Sequence, residues 1–203
     1  MSTLASTFTD SASALPDRSS ALPAPYRLAD LLRVADESAE DFLSGRFDHL
    51  IPASGRFPDD ERWSHRLYAD DDLDVWLISW TPGRSTLLHD HAGSLGALTV
   101  LSGALRETRW TGSDLRERIL RPGDQAAFPV GWVHDVERVP GADPRAGPMD
   151  PPLSVHAYSP PLTAMSYYER TGRGKLRRTH SELVTAGDDG VRASALWRLG
   201  EDD

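Results

Sequence analysis

Turn-forming residues cut the stretch from Trp63 to Tyr158 into short runs, and this punctuation constrains the fold more than any other feature of the chain. The runs expected as strands are Asp74 to Trp80, Thr86 to His91, Ala97 to Leu101, Ala104 to Trp110, Leu115 to Leu120, Gln125 to Phe128, Trp132 to Arg138 and Ser154 to Tyr158. Between them stand Pro82-Gly83, Ser102-Gly103, Gly112-Ser113, Pro122-Gly123 and Pro129 with Gly131. Proline presets one turn dihedral and glycine accepts the left-handed one, so these pairs make tight strand-to-strand reversals. Many short strands joined in this way predict an all-β sandwich or barrel. The run DVWLISW, Asp74 to Trp80, has too few polar residues for a half-exposed strand and reads as covered on both faces.

Ahead of the strands, Leu28, Leu31, Leu32 and Ala35 recur at i, i+3, i+4 and i+7, which predicts an amphipathic helix. Phe42 is expected in a second short helix, and Pro52 and Gly55 close this helical segment of about residues 27–50. Residues 1–25 are rich in Ser, Ala, Pro and Thr and are expected as a disordered leader. The remainder, 26–203, is expected as a single domain whose barrel covers about residues 60–185. Pro140 to Pro152 is expected to bulge from it as a Gly- and Pro-rich loop, and Leu176 to Leu183 reads as one more strand.

Composition removes several classes of function. The net charge is −9 and no basic stripe interleaves with aromatics, so no nucleic-acid partner is expected. No apolar run has the length of a membrane span, and the N-terminus lacks a basic start and an apolar stretch, so a cytoplasmic location and no membrane partner are expected. The chain has no cysteine. A metal site here must therefore use histidine or oxygen ligands.

His89, Asp90 and His91, with His134 downstream, are the residues most open to a chemical reading. Two histidines at i and i+2 on a strand project to one face, and a third from a later strand can complete a three-nitrogen site. Apolar neighbours (Leu87, Leu88, Leu95, Ala97 and Leu98) argue that the pair is buried. Buried imidazoles without a metal would each need a separate hydrogen-bond partner. The segments GRSTLLHDHAGSLGALTVLSG, Gly83 to Gly103, and GDQAAFPVGWVH, Gly123 to His134, resemble the two metal-binding motifs of a cupin, a jelly-roll-like β-barrel. Many cupins place a glutamate ligand where this chain has Gly96. His89, His91 and His134 would then hold a divalent ion with three neutral imidazoles and no carboxylate. Such an ion keeps its full charge, which suits an anionic thiolate, and Fe(II) is the natural choice among oxygen-activating ions. Zinc would instead imply hydrolytic or Lewis-acid chemistry.

A second alternation occurs at Ser154, His156 and Tyr158, which share one face of an extended strand, with Leu153, Val155 and Ala157 on the other. A hydrogen-bonded row of this kind aimed at the metal would set a phenol beside the reacting atoms.

HDH, PVGWVH and SVHAYSPP together resemble cysteine dioxygenase of the bacterial thiol dioxygenase type, over roughly residues 60–175. The resemblance implies a cupin barrel holding Fe(II) through His89, His91 and His134, a small thiol substrate bound to the metal, and oxidation of its sulfur to a sulfinate by O2. It implies Ser154, His156 and Tyr158 as the outer row, with Tyr158 nearest the chemistry. It also implies an arginine for the substrate carboxylate. Arg66 is the candidate and Arg62 the alternative, since a guanidinium can grip a carboxylate through two parallel bonds. The competing reading pairs Arg66 with the acidic run Asp70 to Asp72. Gly96 stands where some members carry a cysteine that bonds to the tyrosine, so Tyr158 is expected as a free phenol. Ser64 and Leu95 stand where some cysteine-specific members carry a tyrosine and a histidine.

The expected activity is oxidation of cysteine to its sulfinic acid. Relatives with glutamine in place of the arginine prefer 3-mercaptopropionate, which remains an alternative substrate. A zinc or manganese isomerase, or a cupin that only binds a small ligand, is the non-oxidative alternative. Either a monomer or a homodimer is compatible with the sequence.

Overall fold

The computed structural model describes residues 26–54, 57–58, 60–141 and 151–184. The expected leader, residues 1–25, lies outside the described residues, as do Gly55, residues 142–150 of the expected loop and the C-terminal end from 185 onward.

Among the described residues the helix α1 (Leu28–Leu43) precedes the strands. Asp30 accepts the Arg27 backbone N–H at 3.0 Å, which places a carboxylate at the positive end of the helix dipole. Leu31, Ala35 and Ala39 form its buried stripe at a spacing of four. Phe42 belongs to this helix and not to a second one, because Ala and Glu between Ala35 and Phe42 favour continuation and Ala39 carries the buried stripe forward. Gly45, at φ 86, then reverses the chain into a 3-10 turn at Asp48–Leu50.

Among the described residues eleven strands follow. In chain order they are β1 (Ser64–Ala69), β2 (Asp74–Ser79), β3 (His89–Asp90), β4 (Leu95–Ser102), β5 (Leu105–Trp110), β6 (Leu115–Leu120), β7 (Gln125–Phe128), β8 (His134–Arg138), β9 (Leu153–Ser159), β10 (Ala164–Arg170) and β11 (Leu176–Leu183). They form a five-stranded sheet in the order β1-β2-β9-β4-β7 and a six-stranded sheet in the order β11-β10-β3-β8-β5-β6. Every pairing between strands is antiparallel. The two sheets enclose a shared interior, which is the cupin type of barrel, with one helical segment at its N-terminal side.

The five-stranded sheet is covered on both faces. One face packs under α1, where Leu31, Ala35 and Ala39 meet Val75, Leu77, Ala97, Val155 and Ala157. The other faces the six-stranded sheet, where Trp76, Ile78 and Trp80 meet Leu98, Leu105, Phe128 and Val136. This double cover explains why DVWLISW lacks a polar face: all six residues of β2 are buried. Each aliphatic side chain fully buried in these layers contributes about 1.5–3 kcal/mol.

Two further points differ from the sequence reading. The extended run expected over Thr86 to His91 shrinks to β3, because Leu87 takes φ 57 and breaks it. The strand β10 was not foreseen. Its sequence AMSYYER has no Val, Ile or Thr and only Tyr167 and Tyr168 favour a strand, yet it pairs with both β3 and β11 and so sits inside the sheet. Among the described residues no helix is long and apolar enough to cross a membrane.

Candidate metal centre

His89 lies on β3, His91 follows it directly, and His134 opens β8, where it pairs in register with His89. All three are buried. Their candidate ligand atoms lie within 4.8 Å of one another, and the Nε2 atoms of His89 and His91 are 3.3 Å apart.

The outer nitrogens decide which way the inner ones are charged. His89 Nδ1 is 2.9 Å from the Leu87 carbonyl, which can only accept, so Nδ1 carries the proton. His134 Nδ1 is 3.1 Å from the Glu107 carboxylate and donates to it in the same way. Both rings therefore turn an unprotonated Nε2 inward. Burial makes charging unfavourable: it pushes His89 down to about 4 and holds His91 and His134 well below the ordinary histidine range. His134 Nε2 is buried with no hydrogen-bond partner. A buried acceptor left unpaired is costly, and converging lone pairs repel, so the donor set fits a divalent cation that would satisfy all three nitrogens together.

Glu107 was not singled out from the sequence. It is fully buried, and its second oxygen pairs with Arg118 Nε. Trp132 Nε1 also approaches its first oxygen, at 3.4 Å. The available signal was its position: Leu105 and Glu107 are the two inward residues of β5, so a carboxylate there needs buried partners.

Ser154, His156 and Tyr158 occupy one face of β9; His156 and Tyr158 line the same cavity as the histidines and Ser154 is fully buried beside them, while Leu153, Val155 and Ala157 pack under α1. Ser154 Oγ is 2.9 Å from His156 Nε2, and His156 Nδ1 is 3.1 Å from Tyr158 Oη. The Tyr158 ring stands 5.0 Å from the His91 ring, edge to face. Burial raises the Tyr158 hydroxyl above the ordinary phenol range, so it keeps its proton, and burial with Arg62 nearby lowers His156 to about 3. Trp80, which also lines the cavity, donates from Nε1 to Ser154 Oγ at 2.8 Å.

Gly96 makes room for the phenol. A Cβ at this position would lie 3.0 Å from Phe128 Cδ2 and from Tyr158 Cδ1 and Cε1. With no side chain at Gly96, the three histidines face no carboxylate from that strand.

The two arginines differ. Arg66 lies opposite Trp76 in the β1–β2 pair, with its guanidinium 4.7 Å from the centre of the Trp76 ring. Among the described residues it makes no ion pair, and its Nε is buried without a hydrogen-bond partner. Asp70 caps its own turn instead, accepting from the backbone N–H of Asp72 and Leu73. Arg62 is buried, donates to the Arg84 carbonyl at 3.1 Å and lies 4.4 Å over the Trp80 ring; burial lowers it to about 9. Neither guanidinium forms the cavity wall, but Trp76 beneath Arg66 and Trp80 beneath Arg62 both do. Asp74, also not foreseen, accepts from Trp76 Nε1 at 2.9 Å, and burial raises it to about 6.

Comparison with known proteins bears on this arrangement. The family model for cysteine dioxygenase type I matches residues 56–171. Cysteine dioxygenase type 1 of Bos taurus is 28% identical over 173 residues, which cover 73% of this chain and 82% of that protein. Cysteine dioxygenase type 1 of Homo sapiens is 30% identical over 125 residues, covering 55% of this chain and 58% of that protein. Among solved structures, a conserved protein with a double-stranded beta-helix domain from Klebsiella pneumoniae subsp. pneumoniae is 21% identical, with a TM-score of 0.41 over 62% of this chain and 90% of that one. That likeness is too loose to speak to reaction or substrate.

Proposed function

The chain belongs to the cysteine dioxygenase type I family, and we propose that it is an iron(II)-dependent dioxygenase that oxidises the thiol of cysteine to a sulfinic acid with O2. The observation that carries this reading is the cluster of three buried, uncharged imidazoles, one with an orphaned Nε2, next to a buried phenol held by its own hydrogen-bonded row.

His89, His91 and His134 would hold the iron. When bound, iron(II) supplies the positive charge that favours a thiolate over a thiol and the redox capacity for reaction with O2. The chain's own residues do the rest. Leu87 O and Glu107 fix the ring orientations of His89 and His134. Trp76, Ile78, Leu162 and Met165 line the cavity with apolar surface that excludes water and strengthens each polar contact inside. Tyr158 offers a neutral hydroxyl as charge develops on the substrate or oxygen. Arg66, which makes no ion pair among the described residues and has a buried Nε without a hydrogen-bond partner, is the candidate to hold the substrate carboxylate through two parallel bonds.

Ser64 lines the cavity two residues before Arg66 and is small. It leaves space on the substrate side, and 3-mercaptopropionate, which lacks the amino group of cysteine, is the second substrate to test. The deciding experiment is oxygen uptake by the iron(II)-loaded full chain with cysteine and with 3-mercaptopropionate, together with elemental analysis of the protein as purified. Uptake matched by sulfinate formation is expected with cysteine. An iron-loaded protein that consumes no oxygen with either thiol would overturn the proposal in favour of a non-oxidative cupin.

A further inference from the structure

One end of the row beside the metal centre can only give a proton. The indole of Trp80 has a single polar atom and no lone pair to offer. It donates to Ser154 Oγ over 2.8 Å. Ser154 is fully buried, and among the described residues its hydroxyl meets Trp80 and His156 alone.

Two arrangements of protons fit the distances. In the first, His156 carries its proton on Nε2. Ser154 Oγ then accepts from both rings, and its own proton points at nothing. In the second, Ser154 passes the direction on. Trp80 donates to Ser154, Ser154 donates to a bare His156 Nε2 at 2.9 Å, and His156 Nδ1–H donates to Tyr158 Oη at 3.1 Å. The fully buried Ser154 hydroxyl is then satisfied, and the one proton without a partner is that of the Tyr158 phenol, which faces the cavity; the first arrangement instead strands the Ser154 proton, away from both cavity and water. That phenolic proton is free to be given toward the histidine cluster.

We propose that Trp80 is a positioning residue that fixes the direction of this row, holding His156 as its Nδ1–H tautomer and leaving Tyr158 as a donor toward the three histidines. Trp80 is itself held from outside the row. The Arg62 guanidinium lies 4.4 Å over its ring, and its backbone N–H bonds to the Pro152 carbonyl at 3.0 Å. That the donated Tyr158 bond serves turnover rests on the dioxygenase reading above; the tautomer itself does not.

The test is nitrogen NMR on the metal-free full chain labelled with 15N-histidine, with the His156 signals identified by their loss in His156→Gln. The expected result is a protonated Nδ1 and a bare Nε2. In Trp80→Phe the Ser154 hydroxyl is no longer pinned, so the two His156 signals should move toward a mixture of tautomers. In the iron(II)-loaded enzyme the same variant should lower kcat by roughly ten-fold with KM unchanged. Since Trp80 is large and buried, Ser154→Ala serves as the second variant. It keeps both rings but removes the bridge between them, and the same shift toward mixed tautomers is expected. A wild-type chain with its proton on Nε2, or His156 signals unmoved in both variants, would overturn the proposal. An iron-loaded wild type that oxidises no thiol defeats only the functional reading, and the NMR result still decides this one.

Discussion

Two polar rows face the cavity, one from each sheet, and they are finished differently. The histidines of the six-stranded sheet spend their outer nitrogens on Leu87 O and Glu107 and leave the inner ones crowded together, with His134 Nε2 unpaired. On the five-stranded sheet, Ser154, His156 and Tyr158 spend their capacity along the row itself. Both rows arise from alternation in sequence, yet only one has lone pairs left over. Open lone pairs inside a core call for a ligand, while a row whose lone pairs are spent orients the one proton it has left, that of the Tyr158 phenol.

The difference can be broken most severely at His89. His89→Ala removes one of the open nitrogens, and the bound metal should fall to roughly a tenth or less, with oxygen uptake lost alongside it. Metal content held near the wild-type value would mean that the open row is not the metal site. The next largest effect belongs to the closed row. Tyr158→Phe deletes one hydroxyl and should lower turnover by about a hundred-fold while metal content stays unchanged, as read by oxygen uptake beside elemental analysis. If metal were lost as well, the two rows would not be separable in function. A milder change probes the support of the open row. Glu107→Gln keeps the shape but weakens the grip on His134 Nδ1, and competition with a chelator should show metal affinity reduced about ten-fold.

The smallest effect is on stability against pH. His89 is held down to about 4 and His156 to about 3, with His91 and His134 also well below the ordinary value of 6.5. Between those values and 6.5 the unfolded chain binds more protons than the folded one. The metal-free chain should therefore be most stable above about pH 6.5 and lose stability as pH falls toward 4. Asp74, raised from 3.8 to about 6, works in the opposite direction, as one carboxyl against four imidazoles. Urea midpoints compared at pH 7.5 and pH 5 check the sign, and a midpoint that held or rose at the lower pH would contradict it.

The alternation of His89 with His91, and of Ser154 with His156 and Tyr158, was legible because strand geometry has a period of two and both rows obey it. The turn signals likewise marked most of the strands. Other features were hidden for separate physical reasons. Strand β10 was obscured because its two tyrosines are adjacent, give no alternation and have no β-branched neighbour in the strand, so its place in the sheet is read from its partners. The break at Leu87 was invisible because a positive φ at a leucine is imposed by its surroundings and has no signal in the residue type. Glu107 looked like a surface charge in LRETRW until Arg118 and Trp132 came from other segments to meet it. The competing pairing of Arg66 with Asp70 to Asp72 depended on where the carboxylates point, and Asp70 turns its own toward Asp72 and Leu73.

Strand β9 serves two masters with alternate residues: its odd members brace the helix and its even members form the row that ends at the cavity. It behaves like text read in a single frame. One residue inserted or deleted between Leu153 and Tyr158 would exchange the two messages, turning greasy side chains toward the histidines and hydroxyls toward α1. Chain length within this strand is therefore as strict a requirement as the identity of any residue in it, and tolerance for added length belongs to the turns on either side.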